Sequence, residues 1–243
     1  MLENQIIILA AGNGKRMKSE LPKVMHKVGG KPMLQRVIEN CSAITKDIIL
    51  VYSDHLFPYL SSFDHGCKLV KQDNPLGTAY AVSVAKDLID PNKVNSVIYA
   101  DNPLITPSII QGLISYRQLT GSALVTLAFE RTNPNQYGRI LVDDKGNFIK
   151  IVEFKFATEQ EKQITLCNSG IMAFAPGILA KYLPECLRPA PEVAGKELYL
   201  TDIVRVCYLA GEKVSYYQPD NHELVIGVNT PEELMHANEI ASK

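Results

Sequence analysis

Short runs of aliphatic and β-branched residues alternate with longer amphipathic stretches over the first hundred positions of the chain. The runs are QIIILA (5–10), DIILVY (47–52), CKLVK (67–71) and SVIYA (96–100). Near-continuous apolar runs are what strands covered on both faces of a parallel sheet require. Between them apolar residues recur at helical spacing, at 33–41, 77–88 and 107–119. Strand and crossover helix in regular succession predict repeated βαβ units, and hence an α/β fold.

After Gly121 the pattern changes. ALVTLAF (123–129), GRILVDD (138–144), NFIKIVEF (147–154) and SGIMAFA (169–175) read as strands, with Asp144-Lys145-Gly146-Asn147 as a hairpin turn. Helical spacing returns at 178–187, 200–209 and 231–242. Thr230-Pro231-Glu232-Glu233 carries the marks of a helix start: Thr as N-cap, Pro at the first helical position and Glu at the third. The Pro-rich patch at 184–191 reads as a loop between helices. No linker, internal repeat or low-complexity segment interrupts the chain, so its 243 residues are expected to form one domain.

Composition narrows the function more than the fold. Lys and Arg number 25 against 26 Asp and Glu, for a formal charge of −1, and 46% of residues are hydrophobic. Such a chain is globular and long enough to bury a substantial core. It lacks the overall basic excess with which a general nucleic-acid binder displaces counterions. Cys41, Cys67, Cys167, Cys186 and Cys207 are scattered and never spaced as Cys-x-x-Cys, which suggests neither a disulfide framework nor a zinc site. The opening MLENQIIILAAGNG has an acid where a signal peptide needs basic residues, and its apolar run is too short to span a bilayer. A reducing cytoplasm, with no nucleic-acid or membrane partner, is the expected setting.

Charge is nevertheless concentrated in one place. From Asn13 to Lys31, five lysines and Arg16 face the single Glu20, a local charge of +5. The segment opens with Leu9-Ala10-Ala11-Gly12-Asn13-Gly14-Lys15-Arg16-Met17, where the first apolar run gives way to small residues. A backbone free of bulky side chains lets a ligand approach closely and lets N–H groups converge on an anion. Open α/β sheets bind their ligands at the carboxyl ends of the strands, where this loop must lie. A polyphosphate site is expected, with a glycine-rich turn carrying a solvated basic face as the alternative. Neither common phosphate loop is present: no Gly-Lys-Ser/Thr follows, and Met17 stands where the dinucleotide fingerprint needs its third glycine.

Leu9 to Met17 followed by Pro22-Lys23 resembles the signature loop of the sugar-1-phosphate nucleotidyltransferases. The fuller string LAAGNGKRMKSELPKVMHKVGGKPML is similar to the uridylyltransferase (pyrophosphorylase) domain of the bifunctional N-acetylglucosamine-1-phosphate uridylyltransferase family, and its Ser-x-Leu-Pro-Lys-Val-x-His portion is the more specific part. Further matches follow in the family's order along nearly the whole chain. They are Gln72 with Leu76-Gly77-Thr78-Ala79, then Tyr99-Ala100-Asp101-Asn102-Pro103-Leu104 and Tyr137-Gly138-Arg139-Ile140. Glu153 with Lys155, Asn168-Ser169-Gly170-Ile171, Tyr199-Leu200-Thr201-Asp202 and Gly227-Val228-Asn229-Thr230 complete the series.

The resemblance implies a Rossmann-like mixed, mostly parallel sheet flanked by helices, with a nucleotide-binding half over 1–105 and a sugar-binding half over 106–243. It implies transfer of a uridylyl group from UTP to N-acetylglucosamine 1-phosphate with release of pyrophosphate, a step toward UDP-N-acetylglucosamine and the peptidoglycan precursors of the cell wall. Arg16 and Lys23 are then the catalytic cations on the phosphates. Leu9, Ala10, Ala11, Gly12, Gly14, Gln72, Gly77 and Thr78 hold the nucleotide, Gln72 at the uracil edge. Tyr99, Gly138, Glu153, Asn168, Tyr199 and Thr201 serve the sugar. Asp101 and Asn229 share Mg²⁺, a hard cation that needs few protein oxygens where substrate phosphates supply the rest. The expected partners are UTP and a sugar 1-phosphate, and the expected assembly a monomer or small homo-oligomer.

The chain departs from the family at particular positions. Ala100 stands where the family carries Gly, its methyl either crowding the ligand or absorbed by a small shift. Pro75 replaces a polar residue, and Phe154 stands where His is common. The bifunctional relatives continue from the last helix into a left-handed β-helix that transfers acetyl groups, and acetyltransferase activity is not expected of these residues. Two other functions fit the same motifs: nucleotidyl transfer with another NTP or phosphorylated acceptor, cytidylyl transfer included, and a non-catalytic nucleotide-sugar-binding protein. Arg16, Lys23, Asp101 and Asn229 occurring together argue against the second. A P-loop ATPase or kinase fails for want of the Walker Lys-Ser/Thr.

Overall fold

The four apolar runs of the first hundred residues become β1 (Asn4–Leu9), β4 (Ile48–Tyr52), β5 (Lys68–Lys71) and β6 (Val94–Tyr99) in a computed structural model that describes residues 2–132, 135–188 and 197–242. A two-residue hairpin, β2 (Lys27–Val28) and β3 (Lys31–Pro32), precedes α1 (Met33–Ser42). The helices α2 (Thr78–Ser83) and α3 (Pro107–Thr120) flank β6 in sequence. The remainder contributes β7 (Leu124–Glu130), β8 (Arg139–Val142), β9 (Phe148–Val152), α4 (Glu159–Lys162), β10 (Leu166–Phe174), α5 (Ile178–Cys186), α6 (Asp202–Leu209), β11 (Val214–Tyr217) and α7 (Pro231–Ala241).

One nine-stranded sheet runs β11-β7-β10-β6-β1-β4-β5, with the β8–β9 hairpin attached to β10. β1 pairs in parallel with both β4 and β6, and β4 with β5. β10 is antiparallel to β6 and β7, and β11 parallel to β7. The sheet is therefore mixed and mostly parallel, as expected. Residue parity decides the layers. Ile6, Ile8, Leu50 and Ile98 face a core closed by α1, α3 and α7, while Ile7, Leu9, Ile49 and Val97 face a second core closed by α2, α5 and α6. Ile6, Ile7 and Ile8 are completely buried. Each such side chain contributes roughly 1.5 to 3 kcal/mol, which anchors the strand that carries the glycine-rich loop.

Local signals were accurate where chemistry is directional. Thr230 caps α7 through the Glu233 N–H at 3.3 Å, and Pro231 opens that helix. The β8–β9 turn closes with the Gly146 N–H on the Asp143 carbonyl at 2.9 Å.

Three expectations need correction, and one strand is new. β5 is an exposed edge strand rather than one covered on both faces. The helix expected over 77–88 is only α2 and a separate single turn at Lys86–Leu88, because Ala85 leaves helical conformation. Pro184 lies inside the last turn of α5, not in a loop, and the patch from 189 to 191 falls outside the described residues. β11 was not anticipated, although KVSYY has strand-forming composition.

Candidate active site

β1 ends where the small residues begin. The Ala10 N–H still reaches the Val51 carbonyl at 2.9 Å, after which the chain leaves the ladder. Among the described residues nothing accepts a hydrogen bond from the N–H groups of Ala11, Gly12, Asn13 or Gly14, so these donors are available to an anion. Gly14 has φ +57°, and a Cβ there would stand 2.5 Å from the Lys23 Cβ. Glycine is needed at this position for the loop to lie on the Lys23 stem. One helical turn follows, Lys15–Met17, which buries Met17 and leaves Lys15 and Arg16 exposed.

The end of the neighbouring strand adds side-chain oxygens. Asp101 follows β6, and its carbonyl accepts from the Val228 N–H at 2.7 Å, while Asn102 Nδ2 donates to the Val225 carbonyl at 2.9 Å. These bonds bring the segment before α7 beside Asp101. The Tyr137 hydroxyl grips the same segment, accepting from the Gly227 N–H at 3.1 Å and donating to the Gly227 carbonyl at 3.3 Å. Burial pushes that phenol up to about 12, so it keeps the proton it donates. The Lys23 ammonium donates to Asp101 Oδ2 and, at 2.9 Å, to Asn229 Oδ1.

Lys23, Asp101 and Asn229 line one cavity with the loop, about 800 Å³ at the carboxyl ends of the central strands, while Gly14 and Tyr137 lie outside its lining. Of the residues expected to act, Leu9, Ala10, Ala11, Gly12, Arg16, Lys23, Gln72, Gly77, Thr78, Tyr99, Asp101 and Asn229 all line it. Gln72 Nε2 donates to the Asn74 carbonyl at 2.9 Å, which leaves its oxygen for a ligand donor. The Leu-Gly-Thr run does more than form a turn. Leu198 N donates to the Leu76 carbonyl at 2.8 Å, Ala79 N to the Leu198 carbonyl at 2.9 Å and Leu200 N to Thr78 Oγ1 at 2.9 Å. A Cβ on Gly77, at φ +114°, would meet the Leu198 carbonyl oxygen at 2.3 Å. Only glycine allows this approach of two backbones. Ala100 is fully buried in the core with Ala10 and is not among the residues lining the cavity.

The residues expected to serve the sugar form an adjoining group, and only Tyr99 reaches the first cavity. Thr201 Oγ1 donates to Glu153 Oε1 at 2.7 Å, and Thr126 Oγ1 donates to Asn168 Oδ1 at 2.6 Å. The Asn168 N–H donates to the Gly138 carbonyl at 2.9 Å, and Glu153 Oε2 lies 3.6 Å from where a Gly138 Cβ would be. Burial raises the Glu153 carboxyl above the ordinary range, although Thr201 works against that rise. Gly170, at φ +89° in the irregular stretch of β10, lets the Tyr99 ring approach, since a Cβ would stand 2.8 Å from it. Glu153 and Tyr199 line a second cavity of about 580 Å³. Glu197 belongs to both cavities and accepts from the Tyr199 hydroxyl at 2.6 Å. Phe154 packs against the Arg139 and Lys162 cations and lines neither.

A divalent cation suits the Asp101–Asn229 pair on the structure's own terms. Two hard oxygens already converge on a cation, the Lys23 ammonium. Among the described residues no cluster of three or more His, Cys, Asp or Glu could hold a metal unaided. Any ion here would need phosphate or water oxygens, the habit of magnesium.

Sequence reasoning missed three contributors. Glu197 carried no motif. Tyr137 lay within one, but its hydroxyl bond to Gly227 joins positions 90 residues apart. Glu233 was read only as the third helical residue, yet its carboxylate also accepts from the Asn229 N–H at 2.7 Å.

The architecture defines the class. It is shared by a structure assigned as a glucose-1-phosphate thymidylyltransferase from Bacillus anthracis, with TM-score 0.73, 21% identity, and coverage of 98% of this chain and 95% of that one. A 4-diphosphocytidyl-2C-methyl-D-erythritol synthase from Anaerococcus prevotii superposes with TM-score 0.67 at 17% identity, covering 100% and 99%. Those likenesses give the nucleotidyltransferase fold. The family follows from sequence: residues 6–165 match the MobA-like NTP transferase domain, and the chain belongs to that family. Its relatives include the bifunctional protein GlmU of Gluconobacter oxydans, 39% identical over 231 residues, and that of Alkaliphilus metalliredigens, 37% identical over 238. The matches cover 95% and 98% of this chain but 50% and 52% of those proteins, so the chain spans about half their length. No helix among the described residues is long and apolar enough to cross a membrane.

Proposed function

We propose that this protein transfers a uridylyl group from UTP to N-acetylglucosamine 1-phosphate and releases pyrophosphate. The observation that carries the reading is the convergence, in one cavity, of open loop amides, the Lys23 and Arg16 cations and the Asp101–Asn229 oxygens. The substrate pair rests on the ordered motifs from Gln72 to Asn229. In this reading the half over 1–105 holds the nucleotide and the half over 106–243 the sugar, with Asn229 reaching across. The work is assigned to the cytoplasm.

The acceptor's phosphate oxygen attacks the α-phosphorus in line. A new P–O bond forms as the bond from the α-phosphorus to the bridging oxygen breaks, and that electron pair leaves with pyrophosphate. The attacking oxygen is already anionic, so no general base is needed, and catalysis consists of positioning and charge neutralisation. Lys23 and Arg16 neutralise the phosphates, and the N–H groups of Ala11 to Gly14 orient them. Gln72 reads the base. Glu153, held by Thr201, accepts from a sugar hydroxyl, with Gly138, Asn168 and Tyr199 around it. Mg²⁺, held by Asp101 and Asn229, supplies further neutralisation of phosphate charge when bound.

Pyrophosphate release from UTP, CTP, ATP, GTP or dTTP, each paired with a panel of sugar 1-phosphates in Mg²⁺ or EDTA, tests the proposal. Metal-dependent release with UTP and N-acetylglucosamine 1-phosphate is expected. Release with another pair overturns the substrates and keeps the chemistry. Binding of nucleotide sugars without release from any pair overturns the reaction.

A further inference from the structure

Lys23 is claimed by two partners that it cannot serve at once. Its ammonium donates to Asp101 Oδ2 and Asn229 Oδ1, the oxygens assigned above to a divalent cation. Its side chain and that of Asp101 are 12% and 17% exposed, and among the described residues Lys23 is the basic group paired with that acid. An ammonium and a doubly charged ion cannot share the same two oxygens, because their charges repel at contact distance in a half-buried site.

The surroundings show where the ammonium can go. Gly14 packs on the Lys23 Cβ, so the start of the stem is fixed, but the flexible chain beyond it can turn. Lys23 lines the same cavity as Ala11, Gly12 and Arg16, the loop with unsatisfied amides. The backbones that carry the two oxygens are held independently of Lys23. Asp101 is tied through its carbonyl to Val228, and Asn229 through its N–H to Glu233. The two side chains therefore stay on neighbouring anchored segments when the ammonium leaves.

We infer that the Lys23 ammonium is the resident counter-ion of the Asp101–Asn229 pair, and that a divalent cation enters by displacing it toward the phosphate loop. Metal entry thereby delivers Lys23 to the nucleotide, which couples the two binding events through one side chain. This deepens the proposed function and rests on its assignment of the metal pair. Lys15 and Arg16, both exposed, are the standing cations of the loop, whereas Lys23 is recruited.

The test is Mn²⁺ binding to the whole chain without nucleotide, followed by electron paramagnetic resonance, for wild type, Lys23→Met, Lys23→Gln and Asp101→Asn. Removing a competing charge-assisted hydrogen bond is expected to tighten Mn²⁺ binding about tenfold in both neutral Lys23 variants. Asp101→Asn is expected to abolish the site. Cooperative melting of each variant establishes that it is folded, and two Lys23 variants guard against one that is not. Unchanged or weaker Mn²⁺ binding in both Lys23 variants overturns the inference, as does Mn²⁺ binding that survives Asp101→Asn or is absent from every protein. Because no nucleotide is present, this failure is distinct from silence in the pyrophosphate assay.

Discussion

Glu233 couples the start of α7 to Asn229 of the proposed metal pair, and its removal should be felt in both places. Its carboxylate accepts from the Asn229 N–H at 2.7 Å and the Thr230 N–H at 3.1 Å, while its own N–H donates to Thr230 Oγ1 at 3.3 Å. Glu233→Ala keeps the last bond and deletes the first two. Bonds to a charged acceptor contribute roughly 1.5 to 3 kcal/mol when buried. Both amides are partly accessible and can turn to water, which brings the cost nearer that of a lost cap, about 1 kcal/mol. A total of about 1 to 2 kcal/mol follows, a fall in Tm of about 2 to 8 °C for a chain of this size. The second effect is specific: Asn229 loses the bond that orients its backbone, so the Mg²⁺ concentration giving half-maximal pyrophosphate release should rise several-fold. Glu233→Gln, which keeps an oxygen without the charge, should lie between. Thermal melts and a Mg²⁺ titration measure both. A lower Tm with an unmoved Mg²⁺ midpoint would reduce Glu233 to a helix cap, and no change in either would refute the coupling altogether.

Asp101→Asn should lower turnover by about 100-fold to 1,000-fold, the range for losing one electrostatic partner of a transition state. Steady-state pyrophosphate release checks it. Gly77→Ala, which forces a methyl to within 2.3 Å of the Leu198 carbonyl oxygen, should weaken UTP binding and lower Tm together; isothermal titration and melting would show whether they move as one. Glu153 and Asp202 both lie above the ordinary carboxylate range, chiefly through burial, so the folded protein holds extra protons between the ordinary and raised values. Their contribution to stability is largest below the ordinary range and is lost as pH rises through the raised values. Acid-range melts should show Glu153→Gln flattening this dependence, and its acceptor KM should rise while the KM for UTP stays flat. Burial pushes the Cys67, Cys186 and Cys207 thiols up to about 12, and raises Cys41 and Cys167 as well. The native protein should therefore react slowly with a thiol reagent at pH 8, releasing its five equivalents only on denaturation.

The loop side of the cavity was legible because its determinants are local. A strand end, two glycines and a run of cations lie within two dozen residues, and the sheet rule places such a loop at the carboxyl edge without knowledge of any long-range contact. Asp101 was legible for the same reason, as an acid at the next strand end. The adjoining group around Glu153 was picked out only by resemblance. Glu153, Asn168 and Thr201 acquire meaning through bonds across 48 and 42 residues, Thr201 to Glu153 and Thr126 to Asn168, which no local pattern encodes. The role of Glu197 as the residue shared by both cavities is likewise a fact of packing.

Glycine shows most clearly what a sequence leaves open. Gly12 and Gly14 look equivalent in the string, yet a Cβ on Gly12 meets nothing within 4 Å, while one on Gly14 collides with Lys23. One keeps space for a ligand and the other seats a cation. Gly77 and Gly170 belong with Gly14: each has positive φ and gives way to a partner distant in sequence, the Leu198 backbone in one case and the Tyr99 ring in the other. Ala100 is the converse. Its methyl, which the sequence leaves either to crowd a ligand or to be absorbed, packs in the core, while Tyr99 and Asp101 on either side of it line the cavity. What the sequence conveyed at each position was a residue type, and what the fold added was the direction in which it points.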